Sequence, residues 1–393
     1  NVQYAREIYE DLQPPVSPSS MWNSSEVRPL EGFVFSVTPF NFSSIAANLP
    51  SSAAIMGNTG VWKPSRNSYL SNYYLMRLMM DAGLPDGVIN FIPGKASMIG
   101  DICLSHPMLA GIHFTGSTSV FRQMWKDVAN NLANLRSYPR IVGETGGKDF
   151  IVAHPNCDQK ALTVALIRGA FEYQGQKCSA ASRAYIPETV WNAIKADYVN
   201  EVSKISVGDP KDFSNFMGAV IDRKSFDNIA GYIDRANRDS GCEIVTGGKY
   251  DDSTGYFVQP TTIVCSDPNY ESMAEEIFGP VLSIYVYPDH EFIETLDLCD
   301  NTSEYALTGS IFASNREDIE VAMAALRYSA GNFYINDKPT GAVVGQQPFG
   351  GARGSGTNDK AGSPLNLLRW VSPRSIKETF APPHDWTYGF LNE

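Results

Sequence analysis

The sequence predicts an α/β fold with two parallel-sheet domains, because short apolar runs alternate with helical stretches through most of its length. One succession of elements covers residues 33–143 and a second covers residues 150–335. With 393 residues and 43% hydrophobic content, the chain can bury a large core and is expected to form more than one domain. No internal repeat interrupts the alternation.

The elements of the first succession can be assigned in order. Strands are predicted at 33–37, 61–63, 88–92, 112–115 and 140–143, and helices at about 68–82, 96–104 and 120–132. The first of these helices is expected to end at Gly83, because glycine favours helix ends and Pro85 cannot continue a helix. Strands joined through helices are parallel. Residues 13–25 are rich in proline and serine and predict a loop or hairpin.

Charge and cysteine usage exclude several function classes. The chain has 31 basic and 43 acidic residues, and its net charge of −12 argues against nucleic acid or an anionic membrane as partner. No apolar run is long enough to span a bilayer. The six cysteines contain no Cys-x-x-Cys pair and the five histidines are scattered, so neither a disulfide framework nor a metal site is predicted.

Two segments carry a candidate nucleophile and a candidate base. Cys178 lies in Gln174-Gly175-Gln176-Lys177-Cys178-Ser179-Ala180, a polar run unsuited to burying an inert thiol. Lys177 is expected to lower the pKa of its neighbour. Glu144, in Glu144-Thr145-Gly146-Gly147-Lys148, could position water for a second half-reaction. Although most cysteines are simply buried hydrophobes, the pair predicts oxidation of an aldehyde through a thioester.

A third segment supplies an amide to this predicted chemistry. Asn41 lies in Ser36-Val37-Thr38-Pro39-Phe40-Asn41-Phe42, where a strand runs into a turn. Hydride leaves the tetrahedral adduct of thiolate and aldehyde, whose oxyanion needs donors placed in advance. The Asn41 amide and the backbone N–H of Cys178 are the candidate donors. An ordinary turn asparagine is the alternative interpretation.

Four more segments complete a pattern similar to a known family. They are Val61-Trp62-Lys63-Pro64-Ser65, Phe114-Thr115-Gly116-Ser117-Thr118, Glu275-Glu276-Ile277-Phe278-Gly279-Pro280 and Gln347-Pro348-Phe349-Gly350-Gly351. In this order, over about residues 31–377, the chain resembles the aldehyde dehydrogenase superfamily. In segments 331–338, 340–345 and 355–360 it resembles the Δ1-pyrroline-5-carboxylate (glutamate-γ-semialdehyde) dehydrogenase branch. The resemblance implies oxidation of L-glutamate γ-semialdehyde to L-glutamate, the second step of proline degradation.

The common dinucleotide fingerprint is missing, since no Gly-x-Gly-x-x-Gly occurs. The resemblance implies that the cofactor pyrophosphate lies instead near the start of the helix after Phe114-Thr115-Gly116-Ser117-Thr118, where free N–H groups favour anions. The implied cofactor is NAD, with NADP as an alternative because Arg66 stands where many NAD-preferring members place a glutamate. The implied cofactor-binding residues are Thr38, Lys63, Ser65, Gly116, Ser117, Glu276 and Phe278.

Substrate selection is also implied by the resemblance. The substrate carries an α-carboxylate, which requires charge-assisted or backbone donors. Ser179 and the backbone of Gly341 and Ala342 are implied to bind that carboxylate, with Lys177 nearby. Phe42 and Phe349 are implied to enclose the aliphatic part.

The resemblance also divides the chain. It implies an interface hairpin region at 1–30, a cofactor-binding domain at 31–146, a catalytic domain at 147–345, and a C-terminal return and oligomerisation segment at 346–393. A homodimer or larger homo-oligomer is expected, and the chain is expected to lack an N-terminal part of its cofactor domain. The cysteine pattern predicts a reducing compartment, the cytoplasm, with the mitochondrial matrix as alternative.

Other function classes stay open at this point. A papain-like thiol protease also has a Gln-Gly segment before its cysteine, but Cys178 is followed by Ser-Ala-Ala-Ser rather than an early aromatic residue. A non-catalytic chain that binds a nucleotide or a partner subunit is another alternative, and an aldehyde dehydrogenase of other specificity is a third. Cofactor-dependent turnover of a semialdehyde distinguishes among them.

Overall fold

The computed structural model of this chain describes residues 1–391, in which helices and strands alternate. The helices are α1 (Val2–Asp11), α2 (Ser43–Ile55), α3 (Tyr69–Asp81), α4 (Ala96–Ser105), α5 (Thr118–Asn131), α6 (Gln159–Phe171), α7 (Glu188–Ser203), α8 (Arg223–Arg238), α9 (Glu271–Ala274), α10 (Phe292–Asn301), α11 (Arg316–Ala325) and α12 (Pro364–Leu367). The strands are β1 (Met21–Pro29), β2 (Phe33–Val37), β3 (Thr59–Lys63), β4 (Ile89–Phe91), β5 (Leu109–Thr115), β6 (Arg140–Glu144), β7 (Asp149–Ala153), β8 (Ala181–Pro187), β9 (Cys242–Thr246), β10 (Tyr250–Asp251), β11 (Phe257–Val258), β12 (Thr261–Cys265), β13 (Val281–Tyr287), β14 (Tyr305–Ala306), β15 (Thr308–Phe312), β16 (Asn332–Ile335), β17 (Ala352–Arg353) and β18 (Val371–Thr379).

The first sheet has five parallel strands in the order β4-β3-β2-β5-β6. Strand β5, which lies between β2 and β6, is buried along its whole length, as a strand covered on both faces must be. Because the strands are parallel, the residues that end them lie along one edge of the sheet. These are Val37, Lys63, Thr115 and Glu144.

The second sheet has seven strands in the order β16-β15-β7-β8-β13-β12-β9. Six of them are parallel, while the edge strand β9 runs antiparallel to β12. Helices α6 and α7 bury apolar residues on one face, and α8, α10 and α11 bury apolar residues on the other. Two parallel-sheet α/β layers were predicted and are confirmed, with β9 as the exception.

A separate two-stranded sheet pairs the two ends of the chain. Strand β1 pairs antiparallel with β18, from Met21 opposite Thr379 to Pro29 opposite Val371. The hairpin expected within residues 1–30 is therefore wrong, because β1 takes its partner from beyond residue 370. The proline-rich segment 12–20 forms no strand and connects α1 to β1.

The predicted strands and helices of the first succession are found, with shifted ends. Strand β5 begins three residues earlier than expected, at Leu109. Helix α2 was not predicted at all, because it contains Pro50 and several serines that usually mark loops. The predicted domain boundaries stay a prediction. Residues 392 and 393, which belong to the last predicted segment, lie outside the described residues. Within residues 1–391, no helix is both long and apolar enough to cross a bilayer.

Candidate active site

The candidate nucleophile lies beside the connection between the two sheets. That connection runs from Glu144, the last residue of β6, to Asp149, the first residue of β7. Cys178 follows α6 and a short 3₁₀ turn, Glu172–Gly175, and precedes β8. A cavity of about 1240 Å³ reaches both Cys178 and Glu144. Residues from both halves of the chain line this cavity, so the cavity forms only when the two sheets are packed together.

The backbone before the nucleophile is held in an unusual conformation. Tyr173, Gln174 and Gly175 are all left-handed, with φ angles of 56°, 56° and 63°. A Cβ on Gly175 would lie 2.2 Å from the carbonyl oxygen of Gly279, so only glycine fits there. The Gln174 amide donates to the carbonyl oxygen of Ala219 at 3.1 Å. Strained residues of this kind persist only where the surrounding structure fixes them, and they often occur at functional sites.

Asn41 contacts this same segment. Its side-chain Nδ2 donates to the carbonyl oxygen of Gln176 at 3.1 Å, two residues before the nucleophile. Gln176 is in turn fixed, because its Oε1 accepts from the backbone N–H of Ile221 at 2.9 Å. An amide nitrogen carries two hydrogens, and the second is left for another acceptor. The structure brings Asn41 to the nucleophile segment, and its role as oxyanion donor stays a prediction.

Cys178 and Glu144 are in direct contact. The thiol Sγ donates to Oε1 of Glu144 at 3.1 Å. Burial raises the pKa of Glu144 to about 7, against the opposing effect of the hydrogen bond from Cys178. Burial and then the nearby Glu144 carboxylate raise the pKa of Cys178 well above its usual range. The site at rest therefore holds a thiol whose proton points at a base.

Lys177 does not activate the thiol in the way the sequence suggested. Its Nζ donates to Oε2 of Glu172 at 2.9 Å. The pKa of Cys178 is raised rather than lowered, by burial first and then by the Glu144 carboxylate. The expectation that Lys177 lowers the thiol pKa is wrong, because the ammonium group pairs with Glu172 instead.

Two consecutive glycines allow other groups of the site to pack closely against the connection between the sheets. A Cβ on Gly147 would lie 2.1 Å from the carbonyl oxygen of Cys178, and a Cβ on Gly146 would lie 2.3 Å from Oε2 of Glu276. The Gly147 N–H also donates to Oε1 of Glu276 at 2.9 Å. Burial raises the pKa of Glu276 to about 7. The Gly-Gly pair thus brings a second titratable carboxylate close to the nucleophile.

Some predicted cofactor residues cluster where β2 and β3 end. The hydroxyl of Thr38 accepts from the indole N–H of Trp62 at 2.9 Å, and its backbone N–H donates to the carbonyl of Lys63 at 3.2 Å. Lys63 is buried, and burial lowers its pKa. Ser65, two residues beyond, is partly buried.

Others lie at the neighbouring strand end. The N–H of Gly116 donates to the carbonyl of Glu144 at 3.2 Å, which joins the ends of β5 and β6. Ser117 is exposed and occupies the N-cap position of α5, where its side chain makes no capping hydrogen bond. Phe278 has a φ of 58°, and its ring contacts Phe40 edge-on at 6.0 Å. These residues and Glu276 surround the nucleophile connection from the side of the first sheet.

The predicted substrate residues line the cavity. They are Phe42, Lys177, Ser179, Gly341, Ala342 and Phe349. The hydroxyl of Ser179 is hydrogen-bonded to that of Thr340 at 2.8 Å, and the ring of Phe42 stacks on Tyr173 at 5.8 Å. Thr340 and Tyr173 were missed by sequence reasoning. Thr340 lies within the 340–345 segment that carried the resemblance, so that segment was a usable signal.

A thiol beside a buried carboxylate, next to an edge of strand ends and a helix N-terminus, defines a thiol-dependent oxidoreductase that uses a dinucleotide. The aldehyde dehydrogenase family model matches residues 1–376, and the chain belongs to this family.

Delta-1-pyrroline-5-carboxylate dehydrogenase, mitochondrial, of Dictyostelium discoideum is 54% identical over 393 residues, which are 100% of this chain and 70% of that protein. The Homo sapiens protein of the same name is 48% identical over 392 residues, which cover 100% of this chain and 69% of that protein. The crystal structure of the Delta-pyrroline-5-carboxylate dehydrogenase from Mycobacterium tuberculosis bound with NAD superposes with a TM-score of 0.94 at 52% identity. It matches 99% of this chain, which covers 71% of that one.

Proposed function

We propose that this chain oxidises L-glutamate γ-semialdehyde, formed from 1-pyrroline-5-carboxylate, to L-glutamate with NAD in the second step of proline degradation. The observation that carries the proposal is the 3.1 Å contact between the Cys178 thiol and the Glu144 carboxylate in one cavity with Ser179 and Gly341. The names of the relatives, all at 48% identity or more, support the same activity.

In the first half-reaction the Cys178 thiolate, whose proton has been released to solvent, attacks the aldehyde carbon. The carbonyl oxygen becomes an oxyanion beside the backbone N–H of Cys178 and the second amide hydrogen of Asn41. Loss of hydride from the same carbon leaves a thioester on Cys178.

In the second half-reaction water cleaves the thioester. Glu144 in its ionised form takes a proton from that water, the C–S bond breaks, and the carboxylate product leaves. Because its pKa is about 7, Glu144 can both accept and release a proton near neutral pH. The thiol then regains its proton and its contact with Glu144.

The edge of the first sheet fits NAD, which supplies the hydride acceptor when bound. Helix α5 begins there with Ser117 and Ser119 exposed, so its first N–H groups can face a pyrophosphate. Gly116 packs closely on Phe114, since a Cβ would lie 2.7 Å from the ring of Phe114. Lys63, Ser65 and Thr38 are assigned to the adenosine side, and Glu276 and Phe278 to the nicotinamide side. The relative from Mycobacterium tuberculosis was solved with NAD.

The carboxylate end of the substrate is assigned to Ser179 and the backbone of the loop at Gly341 and Ala342. Gly341 has a φ of 91°, a left-handed conformation that favours glycine. Phe42 and Phe349, which line the same cavity, are assigned to the aliphatic part.

We also propose a homodimer or larger homo-oligomer. The sheet of β1 and β18 supports it, because most side chains of β18 are exposed and an isolated two-stranded sheet is only marginally stable. For the compartment we propose a reducing one, the cytoplasm or the mitochondrial matrix, which the six free cysteines of the described residues support. Light scattering tests the first proposal, and cell fractionation tests the second.

The activity is tested with the purified chain, glutamate semialdehyde and NAD, following NADH absorbance. Turnover that disappears in Cys178→Ala supports the proposal. Peptide cleavage without cofactor would indicate a thiol protease instead, and cofactor binding without turnover would indicate a binding module. Faster oxidation of uncharged aldehydes than of the semialdehyde would leave an aldehyde dehydrogenase of other specificity.

A further inference from the structure

One carboxylate beside the nucleophile contacts three cations. Oε2 of Glu172 lies 2.9 Å from Nζ of Lys177 and 4.0 Å from Nζ of Lys338, and Oε1 lies 2.7 Å from Nε of Arg168. The side chains of the two lysines are only 11% and 17% exposed, whereas Arg168 is 58% exposed. We call Arg168, Glu172, Lys177 and Lys338 the lysine brace. Neither Glu172 nor Lys338 has a role in the chemistry described above.

The lysine brace joins the two segments that form the substrate end of the cavity. Glu172 and Lys177 belong to the nucleophile segment. Lys338 belongs to the opposite loop, where its Nζ donates to the carbonyl oxygen of Thr340 at 3.3 Å. The hydroxyl of Thr340 is bonded to that of Ser179, next to the nucleophile. The contacts therefore link the nucleophile segment to the loop that carries the carboxylate donors assigned above.

The local sequence leaves room for this arrangement. Gly169 of α6 has no side chain, and a Cβ there would lie 3.5 Å from the Cβ of Lys338 and 3.0 Å from that of Ala181. At Gly341 a Cβ would lie 3.0 Å from Nζ of Lys338. The Lys338 side chain therefore packs beside Gly169, and its ammonium group lies next to Gly341. These contacts set the position of the Lys338 side chain, which does not rotate freely in solvent.

The charges of the brace do not cancel. Three cations surround one carboxylate, and burial would raise the pKa of Glu172, but the hydrogen bond and charge of Lys177 lower it below its usual value. The carboxylate is therefore ionised at neutral pH, and the brace keeps net positive charge. Lys177 lines the cavity wall, while Lys338 stands behind the loop of Gly341. Partly buried charges are screened less by salt than exposed ones, so their potential reaches the cavity.

We propose that Lys338, held by Glu172, is a positioning residue that fixes the 340–342 loop and, with Lys177, supplies the positive potential that selects aldehydes bearing an anionic group. This inference rests on the proposed function, because it names what makes the same site prefer a carboxylate-bearing substrate. A purely structural ion pair would instead affect all aldehydes alike.

The test compares Lys338→Met with the parent on two substrates, glutamate semialdehyde and pentanal, an uncharged aldehyde of the same carbon number. For the semialdehyde we expect KM to rise about tenfold, which corresponds to about 1.4 kcal/mol, with kcat changed by less than about threefold. For pentanal we expect both constants to stay within about twofold. In the parent the semialdehyde KM should increase with salt, and in Lys338→Met this dependence should be weaker.

Two more variants control the result. Lys338→Arg keeps the charge and should recover most of the preference for the semialdehyde. Lys160→Gln removes an exposed cation from the same helix, α6, outside the brace, and should leave the preference within about twofold of the parent. Melting curves of all variants identify any that fail to fold.

Equal losses on both aldehydes in folded Lys338→Met, or an unchanged ratio of the two kcat/KM values, would overturn the inference. Failure of the proposed function is distinguishable, because the parent itself would then oxidise no semialdehyde with NAD. A parent that oxidises the semialdehyde, together with a Lys338→Met variant of unchanged preference, rejects the lysine brace alone.

Discussion

The nucleophile segment, residues 172–179, and the cofactor edge, formed by the ends of β2, β3 and β5 with the start of α5, are built in different ways. The nucleophile segment is fixed by contacts from distant parts of the chain, including Asn41, Ile221 and the backbone of Gly279. The cofactor edge follows from the parallel sheet itself, since parallel strands bring their last residues together.

The difference shows where the site is intolerant of change. Before Cys178 the backbone is left-handed from Tyr173 to Gly175, and Gly175 and Cys178 are buried, so that small shifts move the sulfur relative to its base. At the cofactor edge Ser117 and Arg66 are exposed, so substitutions there can alter preference without disturbing the fold. We therefore expect the largest losses of rate at the nucleophile segment and changes of selectivity at the edge.

The strongest test removes the nucleophile. Cys178→Ala should lower kcat by at least roughly four orders of magnitude, because the covalent route is lost. NADH absorbance measures the rate, and cofactor titration should show NAD binding within about threefold of the parent. Cys242→Ala is the matched control, since Cys242 is a partly exposed cysteine on β9. Comparable losses in both variants would mean that Cys178 serves folding rather than chemistry.

The base can be separated from the nucleophile by kinetics. Glu144→Gln should lower steady-state kcat by about 10²–10⁴-fold, because no carboxylate activates water. A stoichiometric burst of NADH should persist, since the neutral amide removes a charge that raises the thiol pKa. Rapid mixing measures the burst. Its complete absence would assign Glu144 to removal of the thiol proton in the first step.

The backbone strain before the nucleophile can be tested with a matched pair of glycines. Gly175→Ala should lower kcat/KM at least tenfold, because a left-handed alanine costs about 1–3 kcal/mol and its Cβ would overlap the Gly279 carbonyl. Gly87→Ala is the control, with a φ of 84° and no atom within 4 Å of its Cβ, at a position outside the cavity. It should lower the melting temperature slightly and leave kcat/KM unchanged. Similar activity in both variants would show that the segment adapts.

The same contrast explains what could be read from the sequence. The strands of the first sheet and the residues that follow them were predictable, because apolar runs mark buried strands and parallel strands align their ends. Belonging to the aldehyde dehydrogenase family was predictable from ordered segments such as the one that contains Cys178. The roles assigned to single residues are still predictions, because the position of a residue does not by itself show its part in the reaction.

Contacts between distant segments could not be read in this way. Glu172 pairs with Arg168 four residues earlier in the chain, but only the fold brings Lys338 to it. The partner of β1 lies about 340 residues away, which no local pattern indicates. The pKa of Cys178 was misjudged for the same reason, since burial and Glu144 outweigh an adjacent lysine that pairs elsewhere.

Acidity should act on the two regions through different kinetic constants. The pKa values of Glu144 and Glu276 are both about 7, and each carboxylate is needed ionised, so lowering the pH below 7 removes function. At saturating NAD, kcat should fall below pH 7 as Glu144 takes up a proton. The KM for NAD should rise over the same range as Glu276 is protonated. Glu276→Gln should flatten the KM profile and leave the kcat profile, and parallel changes in both would contradict the separation.

The smallest expected effect lies at the exposed end of the cofactor edge. Arg66 is exposed at the start of a short 3₁₀ turn, Arg66–Ser68, three residues beyond Lys63 at the end of β3. A guanidinium there can pair with the 2′-phosphate of NADP, so NAD should be preferred while NADP is used measurably. Arg66→Glu should lower kcat/KM for NADP relative to NAD about tenfold or more, since a charged hydrogen bond contributes about 1.5–3 kcal/mol. Arg77→Glu, an exposed change on α3, is the matched control and should leave the ratio unchanged. An unaltered ratio of kcat/KM for NADP and NAD in Arg66→Glu would place Arg66 outside the cofactor site. The part of the cofactor edge where substitutions change selectivity would then be limited to the start of α5.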